Sequence, residues 1–411
     1  MTSSPPALVR AAFYLAFGSA VSILFSIAAS QILLALAIAA LLLSGAKLRL
    51  PPVWLPLALF MAGTLVALAL ADHPAVGVPQ VRKFYVLLML PLIYSTIRDR
   101  VQVRWLFLSW GIAGGATALW GVVQFVQKMR QAHVLGVKFY EYYTSERITG
   151  AMSHWMTFGG EEMFALLMLG SFLLFGPERT LRRLWPWLVC AGLLLMALVL
   201  GETRSIWLAT LAAGLYLIWA WKRWVVALIP VALALAVFLG PPSVKERAIS
   251  FVRPHGDVDS NTFRLVTWRT GLRMIEKHPW FGIGPDGPSV EFNDYIAPDT
   301  PRPLPTGYYG HLHNIYLQWA ADRGIPTMLM MMWLLVQVVV DFWRALRKLP
   351  PGPSDARFIL RGATAMVIAT MVSGCFEYNL GDSEVLTMFL VGIACGYAAI
   401  GFAGEKEAAG G

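Results

Sequence analysis

The sequence predicts an all-α membrane protein whose helices cross the bilayer many times. Of its 411 residues 57% are apolar and only 14% are charged, and the mean hydropathy of +0.60 is well above that of a soluble domain. Many uninterrupted apolar stretches approach the roughly 20 residues that a helix needs to cross a bilayer. The ten-residue alternation typical of outer-membrane barrels is not seen in the sequence. We therefore predict a polytopic helical bundle.

The apolar stretches divide a single membrane domain into about twelve predicted transmembrane helices. The first two follow each other closely after one arginine, which favours an uncleaved pair of spans over a signal peptide. Such boundaries are uncertain by several residues. The predicted spans are roughly 11–27, 28–45, 52–71, 82–97, 104–127, 156–176, 185–201, 204–221, 224–240, 313–343, 358–379 and 383–403.

The distribution of basic residues predicts the orientation of these spans. If the N-terminus is cytoplasmic, every predicted inside segment contains Lys or Arg, whereas the short outside connections at 72–81 and 380–382 contain none. Both termini are then cytoplasmic. Most of the remaining basic residues fall in two long outside loops, 128–155 and 241–312. The net charge of +9 therefore indicates an outward-facing cationic site rather than nucleic-acid binding.

The larger outside loop contains a predicted surface helix at residues 261–277. Ser260 or Asn261 can cap it, and its pattern predicts that it lies along the outer membrane surface. Arg264, at the edge of the apolar stripe, is predicted to point inward, whereas Arg269 is predicted to meet lipid phosphates or solvent. The predicted apolar stripe and basic ridge consist of Leu265, Trp268, Leu272 and Ile275 and of Arg269, Arg273 and Lys277.

Three further arginines lie at the predicted outer face. Arg204 occupies the very short hairpin "GETRSIW", Arg147 lies among tyrosines in "YEYYTSERITG", and Arg82 is at the outer mouth of the fourth span. Arginine at membrane depth is costly unless it is paired or functional. For Arg204, an ion pair with Glu202 or simple snorkelling is the alternative to a binding role.

Two histidines precede the tenth span in "GYYGHLHNIYLQW", residues 307–319. His311 and His313 are two residues apart, which on a helix separates them by about 200°, so we predict no shared metal ion. Asn314 is predicted to begin the tenth span, which places His313 at its outer end. A neutral imidazole among arginines is suited to accept a proton. The alternative is a histidine that caps the helix or bonds to Tyr308 or Tyr309.

Other motifs exclude several kinds of site. The segment "GIGPDG", residues 282–287, matches the dinucleotide fingerprint only formally, because no strand precedes it and Pro285 interrupts it. The sequence contains no P-loop. The cysteines Cys190, Cys375 and Cys395 lie inside apolar runs and are predicted to pack as small apolar side chains. The sequence thus indicates no nucleotide cofactor, disulfide framework or zinc site.

Three segments together resemble the O-antigen ligase and polysaccharide polymerase superfamily. They read "GETRSIWLA", "FRLVTWRTGLRMIEKHPWFGIGP" and "HLHNIYLQWAADRGIPT", and the large outer loop before the third-last span also fits. Within the superfamily the chain is most similar to the lipopolysaccharide O-antigen ligases of the WaaL type. The family's histidine then falls on His313 and its arginines on Arg204 and Arg264. Arg147, Arg82 and Arg269 are candidates by position alone.

The resemblance implies a reaction and its partners. Such ligases transfer an O-antigen glycan from undecaprenyl diphosphate to a sugar hydroxyl of lipid A-core, at the periplasmic face of the inner membrane, without a metal or another cofactor. The arginines would bind the diphosphate, and His313 would be the general base, supported by His311 and Asn314. Direct displacement predicts inversion at the sugar C1. The expected partners are these two lipids and membrane lipids but no nucleic acid, and we expect a monomer.

Three other functions remain open at this stage. A polymerase of the same superfamily would use the same donor and extend a second lipid-linked glycan. A protein-glycosylating ligase would also use it, although nothing in the sequence suggests peptide recognition. A transporter could have twelve spans, but transporters usually show two related halves, and no internal repeat is visible here.

Overall fold

The computed structural model describes residues 7–178, 180–253 and 261–408, with side chains up to residue 402. Within these ranges the chain is helical with no strand, so the predicted all-α class is confirmed. The candidate cap Ser260 lies outside the described residues. The helices are α1 Ala7–Ser22, α2 Ile27–Leu43, α3 Trp54–Leu70, α4 Pro74–Arg82, α5 Phe84–Leu87, α6 Met89–Thr96, α7 Arg100–Leu135, α8 Phe139–Ser145, α9 Trp155–Phe175, α10 Leu181–Leu200, α11 Arg204–Trp221, α12 Ile229–Leu239, α13 Pro242–Ile249, α14 Asn261–Lys277, α15 Pro288–Glu291, α16 Ile315–Lys348, α17 Asp355–Gly374 and α18 Ser383–Ala408.

Each of the twelve predicted spans coincides with an apolar helix or a run of consecutive helices. Among the described residues, seven of these segments are long and apolar enough to cross a membrane, and four more are shorter apolar helices. The chain is therefore a polytopic membrane protein. The seven are Pro74–Thr96, Arg100–Leu135, Trp155–Phe175, Leu181–Leu200, Ile315–Lys348, Asp355–Gly374 and Ser383–Phe402, and the four are Ala7–Ser22, Ile27–Leu43, Trp54–Leu70 and Arg223–Leu239.

Three helices form the centre of the bundle. α9, α17 and α18 are each buried over more than two thirds of their apolar length, whereas α10 is mostly exposed on its apolar face. Small residues let the central helices approach closely: a Cβ on Gly362 of α17 would lie 2.5 Å from the sulfur of Met168 of α9. The remaining helices surround this centre, with α3 on α16 and α1 on α2.

The connections between helices divide into two ends of the bundle. At one end Arg104 pairs with Asp355 at 3.1 Å, and Arg100 donates to the carbonyl of Ala399. At the other end the connections that precede α9, α11, α16 and α18 meet around shared cavities. Because the chain alternates direction from span to span, connections that are far apart in sequence are brought to one face. The candidate functional residues lie at this second end.

Helix α16 is broken at Gly324, which has a φ of +81° and a ψ of +161°. The segment 279–284 packs on the break and bonds to its free backbone groups: the amide of Ile325 donates to the carbonyl of Pro279, and that of Ile283 to the carbonyl of Ala321. A Cβ on Gly282 would lie 2.4 Å from that carbonyl oxygen. Gly282 of "GIGPDG" thus permits close backbone packing on α16.

Helix α14 runs over the predicted residues, but its buried face differs from the predicted stripe. Phe263, Thr267, Thr270, Gly271 and Met274 are buried, whereas the stripe residues Leu265 and Leu272 are 64% and 56% exposed. The stripe, which was predicted to face protein or lipid, is therefore not the face that packs on the protein. The reason is close approach, because a Cβ on Gly271 would lie only 2.6 Å from Leu312. A hydropathy pattern does not register such a contact between small residues.

The break in α16 generates a stability prediction. Substitution Gly324→Ala places a Cβ 2.1 Å from the carbonyl oxygen of Trp280 and requires a left-handed φ. We expect a loss of about 2 kcal/mol or more, seen as a lower thermal denaturation midpoint in detergent. The control Gly214→Ala, in α11 with open space around the new Cβ, should leave the midpoint unchanged or slightly higher. Equal midpoints for the two variants would contradict the proposed packing.

Candidate functional site

A small cavity of about 110 Å³ at the second end of the bundle is lined mainly by cations. Arg147 follows α8, Arg204 begins α11, Arg247 is in α13 and Arg264 is in α14. The lining contains one carboxylate, that of Glu377. Among the described lining residues, four guanidinium groups accompany one carboxylate, so this cavity is suited to bind a multiply charged anion.

The backbone adds to this positive potential because four helices begin at the cavity. Trp155 and Arg204 are the first residues of α9 and α11, Arg264 lies in the first turn of α14, and His313 directly precedes the cap of α16. A helix N-terminus carries unsatisfied N–H groups and about half a positive charge, which favours an anion. Charge and backbone therefore favour the same kind of ligand.

Arg204 is fixed by hydrogen bonds to the large loop. Its Nη1 donates to the carbonyl of Ser250 at 2.9 Å, and its Nη2 donates to Oδ1 of Asn261 at 2.8 Å. The preceding residue Glu202 has a φ of +48°, and its carbonyl accepts from Nε of Arg247 at 2.9 Å. The tight hairpin before α11 thus positions two of the four arginines.

Arg147 and Arg264 retain unused donor capacity. The Nε of each is buried and has no hydrogen-bond partner in the described part of the chain. Burial and the neighbouring Arg247 lower the pKa of Arg147 to about 9, so the side chain stays charged at neutral pH with its charge poorly compensated. An anion in the cavity would supply acceptors to both guanidinium groups and relieve this cost.

Glu377 links the arginines to His313. Its Oε1 accepts hydrogen bonds from Nη2 of Arg264 and, at 3.1 Å, from Oγ of Ser205. Its Oε2 lies 3.5 Å from Nδ1 of His313. Burial alone would raise the pKa of this carboxyl, but the charge of Arg264, with His313, outweighs burial and holds it well below its usual range. Glu377 is therefore ionised.

His313 lies in a strained and enclosed position. Its φ is +48°, unusual for a residue with a side chain, and it is 8% exposed. The ring of Phe263 packs edge-on against the imidazole at 5.0 Å. Nδ1 faces Glu377, and Nε2 lies 3.3 Å from the carbonyl oxygen of Tyr308. A carboxylate on Nδ1 favours a proton on that nitrogen, and Nε2 is then available as a base once the carbonyl oxygen of Tyr308 is displaced.

A second, larger cavity of about 700 Å³ adjoins the first. Trp155, Met156 and His313 line both cavities, so the imidazole forms part of the wall between them. His311 and His154 also line the larger cavity. Burial and the adjacent His313 lower the pKa of His311 to about 3, and burial lowers the pKa of His154. Over the described residues, no group of three or more His, Cys, Asp or Glu could hold a metal ion.

The structure brings together four of the six main residues proposed from the sequence. Arg147, Arg204, Arg264 and His313 line the small cavity. Arg269 is exposed and pairs with Asp299 at 2.8 Å, as expected for a side chain directed to the surface. Arg82 is also exposed. Both lie outside the residues that line the two cavities.

The two supporting residues have separate positions. The amide nitrogen of His313 donates to Nδ1 of His311 at 3.3 Å, and the two rings lie 3.9 Å apart. Asn314 caps α16, with its Oδ1 accepting from the amides of Tyr316 and Leu317, and its Nδ2 donates to the carbonyl of Cys375. Asn314, rather than His313, is thus the helix cap, and it holds the segment that precedes Glu377.

Sequence reasoning missed Arg247 and Glu377. Glu377 falls inside the predicted span 358–379, and an ionisable residue within a span is a candidate functional residue, so a signal was present. Arg247 is one of several basic residues in the large loop, and nothing in its sequence neighbourhood distinguishes it.

Comparison with known proteins gives one match. Residues 189–332 match the family model Wzy_C, described as O-antigen ligase. The matched range contains Arg204, Arg247, Arg264 and His313. The match supports membership of the O-antigen ligase superfamily. It also supports an activity of the ligase or polymerase type, in a membrane enzyme that processes O-antigen. A comparison with curated proteins returned no match.

The position of Glu377 generates a second prediction. Substitution Glu377→Gln leaves Arg264 buried without its counter-charge, so we expect a loss of about 3–5 kcal/mol, measured as a lower denaturation midpoint at pH 7. The exposed carboxylate of Glu141, paired with Lys138, provides the control Glu141→Gln, which should cost less than about 1 kcal/mol.

The ion pair between Arg264 and Glu377 predicts that folding stability depends on pH. The pKa of Glu377 is lowered in the folded protein. The contribution of this ionised carboxylate to folding stability is therefore complete above the ordinary carboxyl pKa of about 4.3, and it is lost as the pH falls through the pKa of the folded state. The difference in midpoint between wild type and Glu377→Gln should therefore be constant from pH 8 to 5 and narrow only below about pH 4. A difference that narrows near pH 6 would contradict an ionised Glu377.

Proposed function

We propose that this protein of the O-antigen ligase superfamily is a glycosyltransferase that moves O-antigen from undecaprenyl diphosphate to lipid A-core. The observation that carries the proposal is the position of His313, in the wall between an arginine-lined cavity and a larger cavity. One cavity fits the diphosphate of the donor and the other admits the acceptor. The imidazole is then next to the point where the two substrates meet.

The arginine-lined cavity would bind and activate the leaving group. A glycan on a polyprenyl diphosphate is already activated, so the reaction needs stabilisation of the charge that grows on the diphosphate as the bond from its oxygen to the sugar C1 breaks. Guanidinium groups match phosphate oxygens bidentately, and one well-placed donor to a developing anion is worth about 3 kcal/mol of barrier. The Nε groups of Arg147 and Arg264, which have no hydrogen-bond partner among the described residues, are available for this purpose.

His313 would act as the general base. The acceptor hydroxyl gives its proton to Nε2 while its oxygen forms a bond to C1, and the electron pair of the broken bond leaves on the diphosphate. Glu377 holds Nδ1 and stabilises the imidazolium that forms. The carbonyl of Tyr308, 3.3 Å from Nε2, has to give way when the hydroxyl docks. A base of this kind contributes about 10²- to 10⁴-fold to the rate.

Direct displacement by the acceptor predicts inversion at C1. The route involves no covalent glycosyl-enzyme intermediate, because the acceptor oxygen attacks C1 directly.

The proposed location is the inner membrane with the site facing the periplasm and both termini in the cytoplasm. The connections that contain the site lie at the same end of the bundle as the predicted outside segment 380–382, which lacks Lys and Arg. The opposite end holds Arg100 and Arg104. This asymmetry agrees with the positive-inside rule.

Transfer assays test the function. With lipid-linked O-antigen and lipid A-core, we expect purified protein to form ligated lipopolysaccharide and His313→Ala to reduce kcat by about 10²-fold or more. Arg147→Lys keeps the positive charge but loses the planar guanidinium group that can bind two phosphate oxygens at once. We therefore expect kcat to fall about 10²- to 10³-fold. Arg269→Lys, outside both cavities, is the matched control and should retain activity.

The acceptor decides between the two functions within the superfamily. Product that forms only when a second lipid-linked glycan is supplied would establish a polymerase instead of a ligase. Full activity of His313→Ala would remove the general base from the mechanism.

Labelling with a membrane-impermeant maleimide tests the orientation. In a background with the three cysteines replaced by alanine, a cysteine at the exposed position of Arg269 should react in intact cells. A cysteine at the exposed position of Arg183 should react only after the inner membrane is permeabilised. The reverse pattern would place the site in the cytoplasm and overturn the proposed location.

A further inference from the structure

The larger cavity is lined by chemically different groups. His313, which also lines the arginine-lined cavity, and His311 share this lining with Lys83, Asp286 and Asp382. Nζ of Lys83 donates to the carbonyl of Gly381 at 2.5 Å, and both carboxylates interact electrostatically with this ammonium group. Two carboxylates around one ammonium give a weak negative excess. The arginine-lined cavity next to it is strongly positive.

Asn379 lines the same cavity and has an unused hydrogen-bonding group. The residue is 5% exposed, and its Nδ2 lies 3.5 Å from Oγ of Ser373. Its Oδ1 is buried and accepts no hydrogen bond from the described residues. A buried carbonyl oxygen without a donor is costly, so its position in a cavity wall indicates a ligand that brings an O–H or N–H group.

Asp382 is held in place but can still bind a ligand. Thr157, which is 4% exposed, donates to Oδ2 of Asp382 at 2.9 Å, and this bond fixes the carboxylate against α9. Oδ1 receives no hydrogen bond from the described residues and remains free to accept one. The rings of Trp155, Tyr308 and Tyr378 complete the wall. Carboxylate, amide and ammonium groups beside aromatic rings suit a polyhydroxylated ring.

We propose that Lys83, Asp382 and Asn379 form a subsite for an uncharged sugar ring of the acceptor, and that Asp382 and Asn379 determine which acceptor is used. The inference rests on the proposed transfer reaction and names the part of the acceptor that this cavity recognises. Vicinal hydroxyls donate to Asp382 and to Oδ1 of Asn379 and accept from Lys83.

The charge difference between the two cavities also sorts the substrates. A diphosphate is attracted to the arginines and repelled by Asp286 and Asp382, so the donor is excluded from the acceptor subsite. By the same repulsion, a sugar that carries a phosphate is a poor acceptor there. Donor and acceptor therefore cannot exchange places, and His313 is presented with a hydroxyl from one side only.

Kinetics with both substrates varied test the subsite. Asp382→Asn keeps the shape of the side chain while removing the charge, and the amide oxygen can still accept from Thr157. We expect the KM for lipid A-core to rise about tenfold, with the KM for the lipid-linked donor and kcat changed less than about twofold. Asn379→Ala should likewise raise the KM for lipid A-core. Asp294→Asn, at an exposed carboxylate of the large loop outside the cavity lining, is the matched control and should behave as wild type.

A second comparison tests the sorting by charge. Two lipid A-core acceptors that differ only by a phosphate on the accepting sugar should differ about tenfold or more in kcat/KM with wild type, and Asp382→Asn should narrow the difference. Equal acceptor KM values for wild type, Asp382→Asn and Asn379→Ala would overturn the subsite. A rise in donor KM alone would also overturn it.

Failure of the subsite can be distinguished from failure of the proposed function. If wild type transfers glycan but the variants keep its acceptor KM, only the subsite is wrong. If wild type transfers to neither lipid A-core nor a second lipid-linked glycan, the proposed function is wrong. Equilibrium binding of lipid A-core to wild type and to folded Asp382→Asn then decides the subsite without turnover, and equal affinity would overturn it.

Discussion

The buried carboxylate of Glu377 is the interaction on which the arrangement of the site depends. It accepts from Arg264 of α14 and Ser205 of α11 and faces Nδ1 of His313 before α16. These residues are far apart in sequence, and the carboxylate brings them to one point. A charge removed from water is tolerable only when it is paired and hydrogen-bonded. Arg264 and Glu377 each supply the counter-charge that the other requires.

Around this pair the site keeps a large excess of positive charge. Four arginines and the carboxylate of Glu377 are among the described residues that line the cavity, so like charges face one another there, and the N-termini of four helices add partial positive charge to the same place. Such repulsion destabilises a protein unless an anion is bound. The fold tolerates this repulsion because α9, α17 and α18 form a closely packed centre. A bound diphosphate would offset the repulsion.

The match to the O-antigen ligase model covers only part of this arrangement. Residues 189–332 include the histidine and three of the four arginines, whereas Arg147, Glu377 and the residues Lys83, Asp382 and Asn379 of the larger cavity lie outside it. The matched region thus contains most of the groups that we propose to bind the diphosphate. The groups that would contact the acceptor come largely from the rest of the chain, which is where members with different acceptors would be expected to differ.

The sequence by itself determined the helical membrane fold and the course of its spans, because apolar runs of the required length have few other solutions in a bilayer. It also indicated Arg204, Arg264 and His313, since their local motifs are distinctive, and the start of α16 at Asn314. It did not determine which face of α14 is buried, because close approach at Gly271 depends on Leu312. Only the tertiary structure decided that Arg147 joins the site while Arg82 and Arg269 face outward, and that Glu377 pairs with Arg264. These outcomes depend on how connections that are distant in sequence meet at one end of the bundle. A local sequence pattern contains no information about which of these connections meet.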